Sequence, residues 1–146
     1  MMDDISLKLS IYRFTAEHAR VPTVAELAPI VGLTASGVRE GFQRLFASRV
    51  LVLMPDGETI RMAPPFSGVP TQHRVRTGGK DYYANCAWDA LGILAALHAE
   101  GEVFSRCEQS MEPVHLVVGK DGPAPASWVV HFAVPASQWW QDIVFT

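Results

Sequence analysis

Residues 82–91 (YYANCAWDAL) mark the point where a turn gives way to a helix, and they decide how the second half of the chain folds. The preceding residues 77–80 (TGGK) carry a turn signal, and residues 91–97 (LGILAAL) continue as an apolar helical run. This pattern places Cys86 in the first turn of a helix and Asp89 three residues later on the same face. Unpaired backbone N–H groups at a helix start favour thiolate over thiol, and a nearby carboxyl can hold the released proton. We therefore predict that Cys86 and Asp89 form a catalytic site.

A purely structural explanation of these two residues stays open at this point. Cysteine is among the most buried residue types and often packs as a small hydrophobic side chain. Aspartate in a first helical turn stabilises the helix through its dipole alone. The spacing by itself does not separate catalysis from packing.

The bulk composition limits the class of protein. A chain of 146 residues, 49% hydrophobic and 18% charged, has enough apolar residues to build one or two small domains. The net charge of −3 argues against a nucleic-acid partner held by electrostatics. Two cysteines do not form a disulfide scaffold, and the acidic N-terminus differs from a basic signal peptide. No apolar run approaches the ~20 residues of a membrane span. We therefore predict a soluble cytoplasmic protein with no membrane partner.

The N-terminal pattern resembles a winged helix-turn-helix. Thr23 and Glu26 form a capping box, and Thr34 has the side chain of a helix N-cap. The predicted elements are a helix over residues 5–18, a short helix ending near residue 32, a helix to about residue 48, and strands over residues 50–54 and 59–62.

Two hypotheses follow for this winged-helix-like part. In a DNA-binding protein, the helix that begins after Thr34 would enter the major groove. Its outward residues would be Ser36, Arg39, Glu40 and Gln43, with Arg44 and Arg49 facing phosphates. The acidic net charge and the glutamate in this set favour a structural role, in which the part packs against the rest of the chain.

The remaining sequence predicts an α+β domain with one main helix packed on a mostly antiparallel sheet. Residues 63–70 contain three prolines and predict a linker, so we divide the chain into domains 1–63 and 64–146. Phe66, in this linker, would line the site or fill a surface groove. The predicted elements are strands over residues 73–77 and 81–84, a helix over residues 86–99, strands over residues 102–107, 114–118 and 128–133, and a short helix or turn at residues 139–140. Four tryptophans, at positions 88, 128, 139 and 140, would line an apolar pocket or belong to the core.

The chain also resembles the organomercurial (alkylmercury) lyases, bacterial enzymes that cleave a carbon–mercury bond by protonation. The most specific match is residues 83–89 (YANCAWD). Further matches are residues 66–70 (FSGVP), 73–76 (HRVR), 103–107 (VFSRC), 114–118 (VHLVV) and 131–135 (HFAVP), with Trp139. The resemblance therefore covers most of residues 64–142.

The resemblance implies specific roles for the predicted site. Cys86 would bind the mercury of the substrate as a thiolate, Asp89 would carry the proton to carbon and also contact the metal, and cellular thiols would remove the mercury. No resident cofactor is implied. The partner would be a small organomercurial or related molecule.

The second active-site cysteine of the family is replaced here. By alignment Ser127 takes its position, and a hydroxyl is a hard, weakly acidic group that does not replace a thiolate on mercury. Cys107, the only other cysteine, is predicted in a strand as a buried structural thiol. Two alternatives therefore stay open: another thiol-dependent reaction on the same scaffold, and a DNA-binding sensor with a ligand site at Cys86. The native substrate and the oligomeric state are not determined by the sequence.

Overall fold

A computed structural model describes residues 2–145 and has an α+β fold, as predicted. The helices are α1 (Asp4–His18), α2 (Val24–Val31), α3 (Ala35–Ala47) and α4 (Ala87–Leu97), followed by a 3-10 helix (Ala136–Gln141). The strands are β1 (Val52–Leu53), β2 (Ile60–Ala63), β3 (Phe66–Ser67), β4 (Arg74–Thr77), β5 (Lys80–Tyr83), β6 (Gly101–Arg106), β7 (Pro113–Gly119) and β8 (Gly122–Pro123). Within the described chain, no helix combines the length and the hydropathy needed to cross a bilayer.

The N-terminal helices begin at the predicted caps. The Thr23 hydroxyl accepts a hydrogen bond from the Glu26 amide at 3.2 Å, and the Glu26 carboxylate accepts one from the Thr23 amide at 2.9 Å. Thr34 accepts from the amide of Gly37 at 3.1 Å. The three helices pack with β1 and β2 around one apolar core. The predicted order of three helices and two antiparallel strands is present, and the winged-helix interpretation stays a prediction.

The predicted linker is part of the folded structure. β3 pairs antiparallel with β2 and completes a three-stranded sheet, and Phe66 also bridges to Ala84. The Phe66 ring is 3% exposed and packs between the rings of Tyr12 and Tyr82. The expectation that Phe66 fills a surface groove is therefore wrong, because this aromatic side chain is buried in the core beneath α4. The division into domains 1–63 and 64–146 stays a prediction.

The second half forms a five-stranded antiparallel sheet with the order β5-β4-β6-β7-β8. α4 packs on one face of this sheet through Ile93 and Leu94, which are buried with Val75 and Val103. α4 thus presents its N-terminal end, with Cys86 and Asp89, at the junction between this core and the β3 segment.

The last predicted strand, over residues 128–133, does not form. The sheet ends instead with β8, after which the amide of Ala124 donates to the Val117 carbonyl at 2.8 Å. Proline has no amide hydrogen to donate to a sheet, and Pro123 and Pro125 flank this last contact. Residues 124–135 therefore continue as irregular, mostly exposed chain. The predicted terminal helix or turn is present as the 3-10 helix.

Candidate functional site

Cys86 is the N-cap residue of α4, one position before the helix begins. Its backbone is extended (φ −151°, ψ 178°), and its Sγ accepts a hydrogen bond from the Asp89 amide at 3.4 Å. A side chain that accepts from the amide three residues later is the usual arrangement of a helix cap. The thiol is half-buried and is not in a disulfide. The geometry thus joins Cys86 to Asp89 at the helix start, as their spacing predicts.

Asn85 forms a hydrogen bond with the Asp89 carboxylate. Its side-chain amide donates to Asp89 Oδ2 at 3.0 Å, to the Phe66 carbonyl at 3.2 Å and to the Pro65 carbonyl at 3.3 Å. Its Oδ1 is buried and has no hydrogen-bond partner among the described residues. One amide therefore connects the carboxylate to the backbone that precedes and begins β3. Asn85 has no predicted role, although its position four residues before Asp89 is a spacing at which helical side chains meet.

Tyr12, in the N-terminal helix α1, contacts the segment that Asn85 also contacts. Its hydroxyl donates to the Pro64 carbonyl at 2.7 Å. Burial, together with the nearby Asp89 charge, raises the pKa of Tyr12 to about 12, so its hydroxyl remains protonated. The hydrogen bond spans 52 positions in the chain, so no local pattern could have identified it.

Burial controls the proton affinities of the two central groups. Burial raises the pKa of Asp89, and the hydrogen bond from Asn85 opposes this effect. Burial also raises the pKa of the Cys86 thiol; the Asp89 charge adds to the rise, and hydrogen bonds from the amides of Asp89 and Trp88 oppose it. The amides at the helix start lower the pKa of Cys86, as expected, but burial outweighs them, so the net shift of the thiol pKa is upward. Cys86 holds its proton, and Asp89 binds a proton more readily than an exposed carboxylate does.

The other candidate side chains lie elsewhere. Cys107 follows β6 in a turn, where its Sγ accepts from the Ser110 amide at 3.5 Å, so the prediction of a buried strand cysteine is wrong. Ser127 is exposed in the irregular segment, as is His131 of the matching residues 131–135. Across residues 2–145, no group of three or more His, Cys, Asp or Glu side chains is arranged to hold a metal ion. Cys86 and Asp89 are thus a pair without a third such ligand in the described chain.

The polar residues of α3 make contacts within the chain. Arg39 pairs with Glu58, and Arg44 Nε lies 2.9 Å from Asp4 Oδ1. Gln43 donates to the Gly57 carbonyl at 2.5 Å. These contacts attach α3 to α1 and to the turn between β1 and β2. They favour the structural hypothesis for this part over the DNA-binding one.

We expect Cys107 to react with alkylating agents at a lower pH than Cys86. Hydrogen bonds in its turn lower the pKa of Cys107, whereas burial raises that of Cys86. Because the thiolate is the nucleophile, iodoacetamide should label Cys107 first at neutral pH, and Cys86 should need a more alkaline pH. Peptide mass spectrometry across a pH series measures both.

The Asp89→Asn variant is the matched control for this experiment. Removing the Asp89 charge should move the labelling midpoint of Cys86 to lower pH and leave that of Cys107 unchanged. Faster labelling of Cys86 than of Cys107 in the wild type at neutral pH would contradict the prediction.

Comparison with known proteins identifies the family of the chain. The family model described as MerB, alkylmercury lyase, matches residues 66–146, which is more than half of the chain. The protein therefore belongs to the alkylmercury lyase family, and the resemblance inferred from the sequence is confirmed.

A solved structure shows the same fold. The structure titled "Crystal structure of the mercury-bound form of MerB2" matches with a TM-score of 0.66 and 24% sequence identity. The match covers 83% of this chain and 59% of that one, so this chain spans less than two thirds of the length of MerB2. No curated protein sequence matches.

Proposed function

We propose that this protein cleaves carbon–mercury bonds by protonolysis, with Cys86 as the thiolate ligand and Asp89 as the proton carrier. One observation carries the proposal: a half-buried thiol at the N-cap of α4 lies beside a half-buried carboxyl residue in its first turn, and the Asp89 amide contacts Cys86 Sγ at 3.4 Å. Membership of the alkylmercury lyase family supports the class of substrate.

The proposed reaction begins with transfer of a proton within this pair. As mercury binds to Sγ, Cys86 gives its proton to the Asp89 carboxylate, and the anion that accompanied the organomercurial leaves. The raised pKa of Asp89 suits it to hold this proton. Asp89 then protonates the carbon bonded to mercury, the carbon–mercury electron pair forms the new C–H bond, and the hydrocarbon leaves. Mercury(II) remains on sulfur, and no redox step is needed.

The second thiolate on mercury comes from a small molecule in this proposal. Soft mercury prefers sulfur, and added thiolate density promotes protonation of the carbon. Ser127 offers a hydroxyl instead, and Cys107 lies in an exposed turn. A reducing cytoplasm would supply such thiols and would accept the mercury afterwards. We therefore expect turnover to require an external thiol.

Asn85 and Tyr12 position the proton carrier. The Asn85 amide orients one oxygen of Asp89, and the Tyr12 hydroxyl holds the Pro64 carbonyl beside the same segment. In this proposal Asn85 fixes the orientation of a half-buried carboxylate and Tyr12 fixes the backbone near it, while burial raises the proton affinity of Asp89. The N-terminal helix α1 thus contributes to the site through Tyr12.

The test is release of methane from methylmercury, or of benzene from phenylmercury, measured by gas chromatography with excess small thiol. We expect hydrocarbon release by the wild type and by Cys107→Ser, which removes the other thiol. Release should fall to the background level when the small thiol is omitted. Mercury binding that depends on Cys86 but gives no hydrocarbon would show instead that the scaffold no longer carries out the lyase reaction.

A further inference from the structure

The backbone that precedes and begins β3 is held by side chains of two different segments. Residues 64–66 (PPF), which we call the 64–66 segment, have three successive carbonyls that accept hydrogen bonds. Tyr12 of α1 donates to the first, and Asn85, just before α4, donates to the other two. Phe66 anchors the segment in one apolar core; neither core of the described chain contains a tryptophan, so the alternative that the tryptophans belong to the core is wrong. The 64–66 segment thus connects α1 to the start of α4.

Gly92 lies in α4 against this segment. A Cβ atom at position 92 would be 3.3 Å from Pro65 Cβ and 3.9 Å from Pro65 Cγ. The first distance is shorter than the roughly 3.5–4.0 Å of an ordinary contact between carbon atoms, so a side chain here would displace its neighbour by a few tenths of an ångström. Glycine is, after proline, the least favourable residue in a helix interior. Gly92 therefore lowers the stability of α4 and permits the 64–66 segment to lie close to it.

The hydrogen bonds of Asn85 make this close approach important. The Asn85 Nδ2 atom carries two hydrogens, yet three oxygens lie within 3.3 Å of it. These are the carbonyl oxygens of Pro65 and Phe66 and the Oδ2 atom of Asp89. Because hydrogen bonds weaken as their distances and angles change, displacement of any one oxygen alters how the hydrogens are shared. Two of the three oxygens belong to the 64–66 segment, so the amide should follow that segment away from the Asp89 carboxylate.

We propose that Gly92 is a positioning residue for the proton carrier. Its missing side chain sets the distance between α4 and the 64–66 segment at which Asn85 contacts both the segment and Asp89. The inference rests on the proposed function where it concerns turnover, because it requires Asp89 to deliver the proton. Gly92 acts through Pro65 and Asn85, and not on the substrate.

The Gly92→Ala variant tests this role in single-turnover release of benzene from phenylmercury. A misplacement of about 1 Å can cost about 10²-fold in rate, so we expect the smaller displacement here to lower the rate constant about tenfold. Mercury binding through Cys86 should be unchanged. Gly37→Ala is the matched control, because Gly37 is also a half-buried glycine within a helix and a Cβ atom there would be at least 3.5 Å from its neighbours. This control should keep the wild-type rate.

A double-mutant cycle tests whether the effect passes through Asn85. Asn85→Ala should lower the rate by itself, and adding Gly92→Ala should cause no further loss, because the disturbed hydrogen bonds are already absent. Equal losses from Gly92→Ala in both backgrounds would overturn the inference. Helix propensity and the close contact have opposite effects on the stability of Gly92→Ala, so its thermal unfolding midpoint should stay within about 4 °C of wild type.

A signal from Asn85 itself separates this inference from the proposed function. Asn85 is the only asparagine of the chain, so nitrogen-15 labelling of asparagine side chains gives a single side-chain amide in the NMR spectrum. Without mercury, we expect its signals to shift in Gly92→Ala and not in Gly37→Ala. That result in a protein whose wild type releases no hydrocarbon would support the role of Gly92 in positioning Asn85, while the lyase reaction would be excluded. Unshifted Asn85 signals in Gly92→Ala would overturn the inference.

Discussion

Replacing Asp89 with Asn is expected to lower hydrocarbon release by roughly 10²- to 10⁴-fold, the usual contribution of a proton-transferring side chain. Asparagine has nearly the same shape and keeps an oxygen that can accept from the Asn85 amide. It also keeps the backbone amide that contacts Cys86 Sγ. The variant therefore isolates the capacity to carry a proton. Single-turnover release of benzene from phenylmercury measures the loss.

Cys86→Ala is the companion variant and should differ from Asp89→Asn in its binding of mercury. We expect it to lose both mercury binding and turnover, whereas Asp89→Asn should still bind mercury through Cys86. Retention of more than about one tenth of wild-type turnover by Asp89→Asn would exclude Asp89 as the proton carrier, given the magnitude expected for that role. Turnover by Cys86→Ala would exclude Cys86 as the thiolate ligand of mercury.

Phe66→Ala should cause the largest loss of stability among the variants discussed, about 3–5 kcal/mol in the free energy of unfolding. Its ring is almost completely buried between the rings of Tyr12 and Tyr82, where truncation would leave a cavity. The Phe66 carbonyl also accepts from Asn85, so movement of β3 should disturb the support of Asp89. Urea denaturation followed by circular dichroism measures the change.

The matched control for this substitution is Phe46→Ala. Phe46 is 43% exposed at the end of α3, and its truncation should change the unfolding free energy by less than about 1 kcal/mol. Equal losses for the two variants would contradict the assignment of Phe66 to the core that joins α1, β3 and α4.

Local sequence patterns predicted where the helices begin and that Cys86 and Asp89 lie together at a helix start. Capping depends on a side chain and an amide only three residues apart, so Thr23, Thr34 and the Cys86–Asp89 spacing indicated where the helices begin. The α+β class followed from one long apolar helix between strand patterns. The match to the family was found from residues 83–89, which also form the turn that holds the pair.

The irregular end of the chain shows where local patterns fail. Residues 128–132 (WVVHF) have strong strand propensity, yet no strand forms there, because a strand requires a partner edge and available amides. Cys107 lies only one residue beyond the end of β6, and that single position places it in a turn instead of a buried strand. A difference of one residue is within the ordinary uncertainty of an element boundary.

The sequence by itself determined the α+β class, the helix caps and the presence of a thiol and a carboxyl on one helical turn, because each depends on residues close together in the chain. Only the tertiary structure decided the surroundings of that pair. Asn85 contacts a strand about twenty positions earlier, and Tyr12 reaches Pro64 from the first helix. Burial also raised the pKa of Cys86 and outweighed the opposite effect of the amides at the helix start, since desolvation depends on the whole fold.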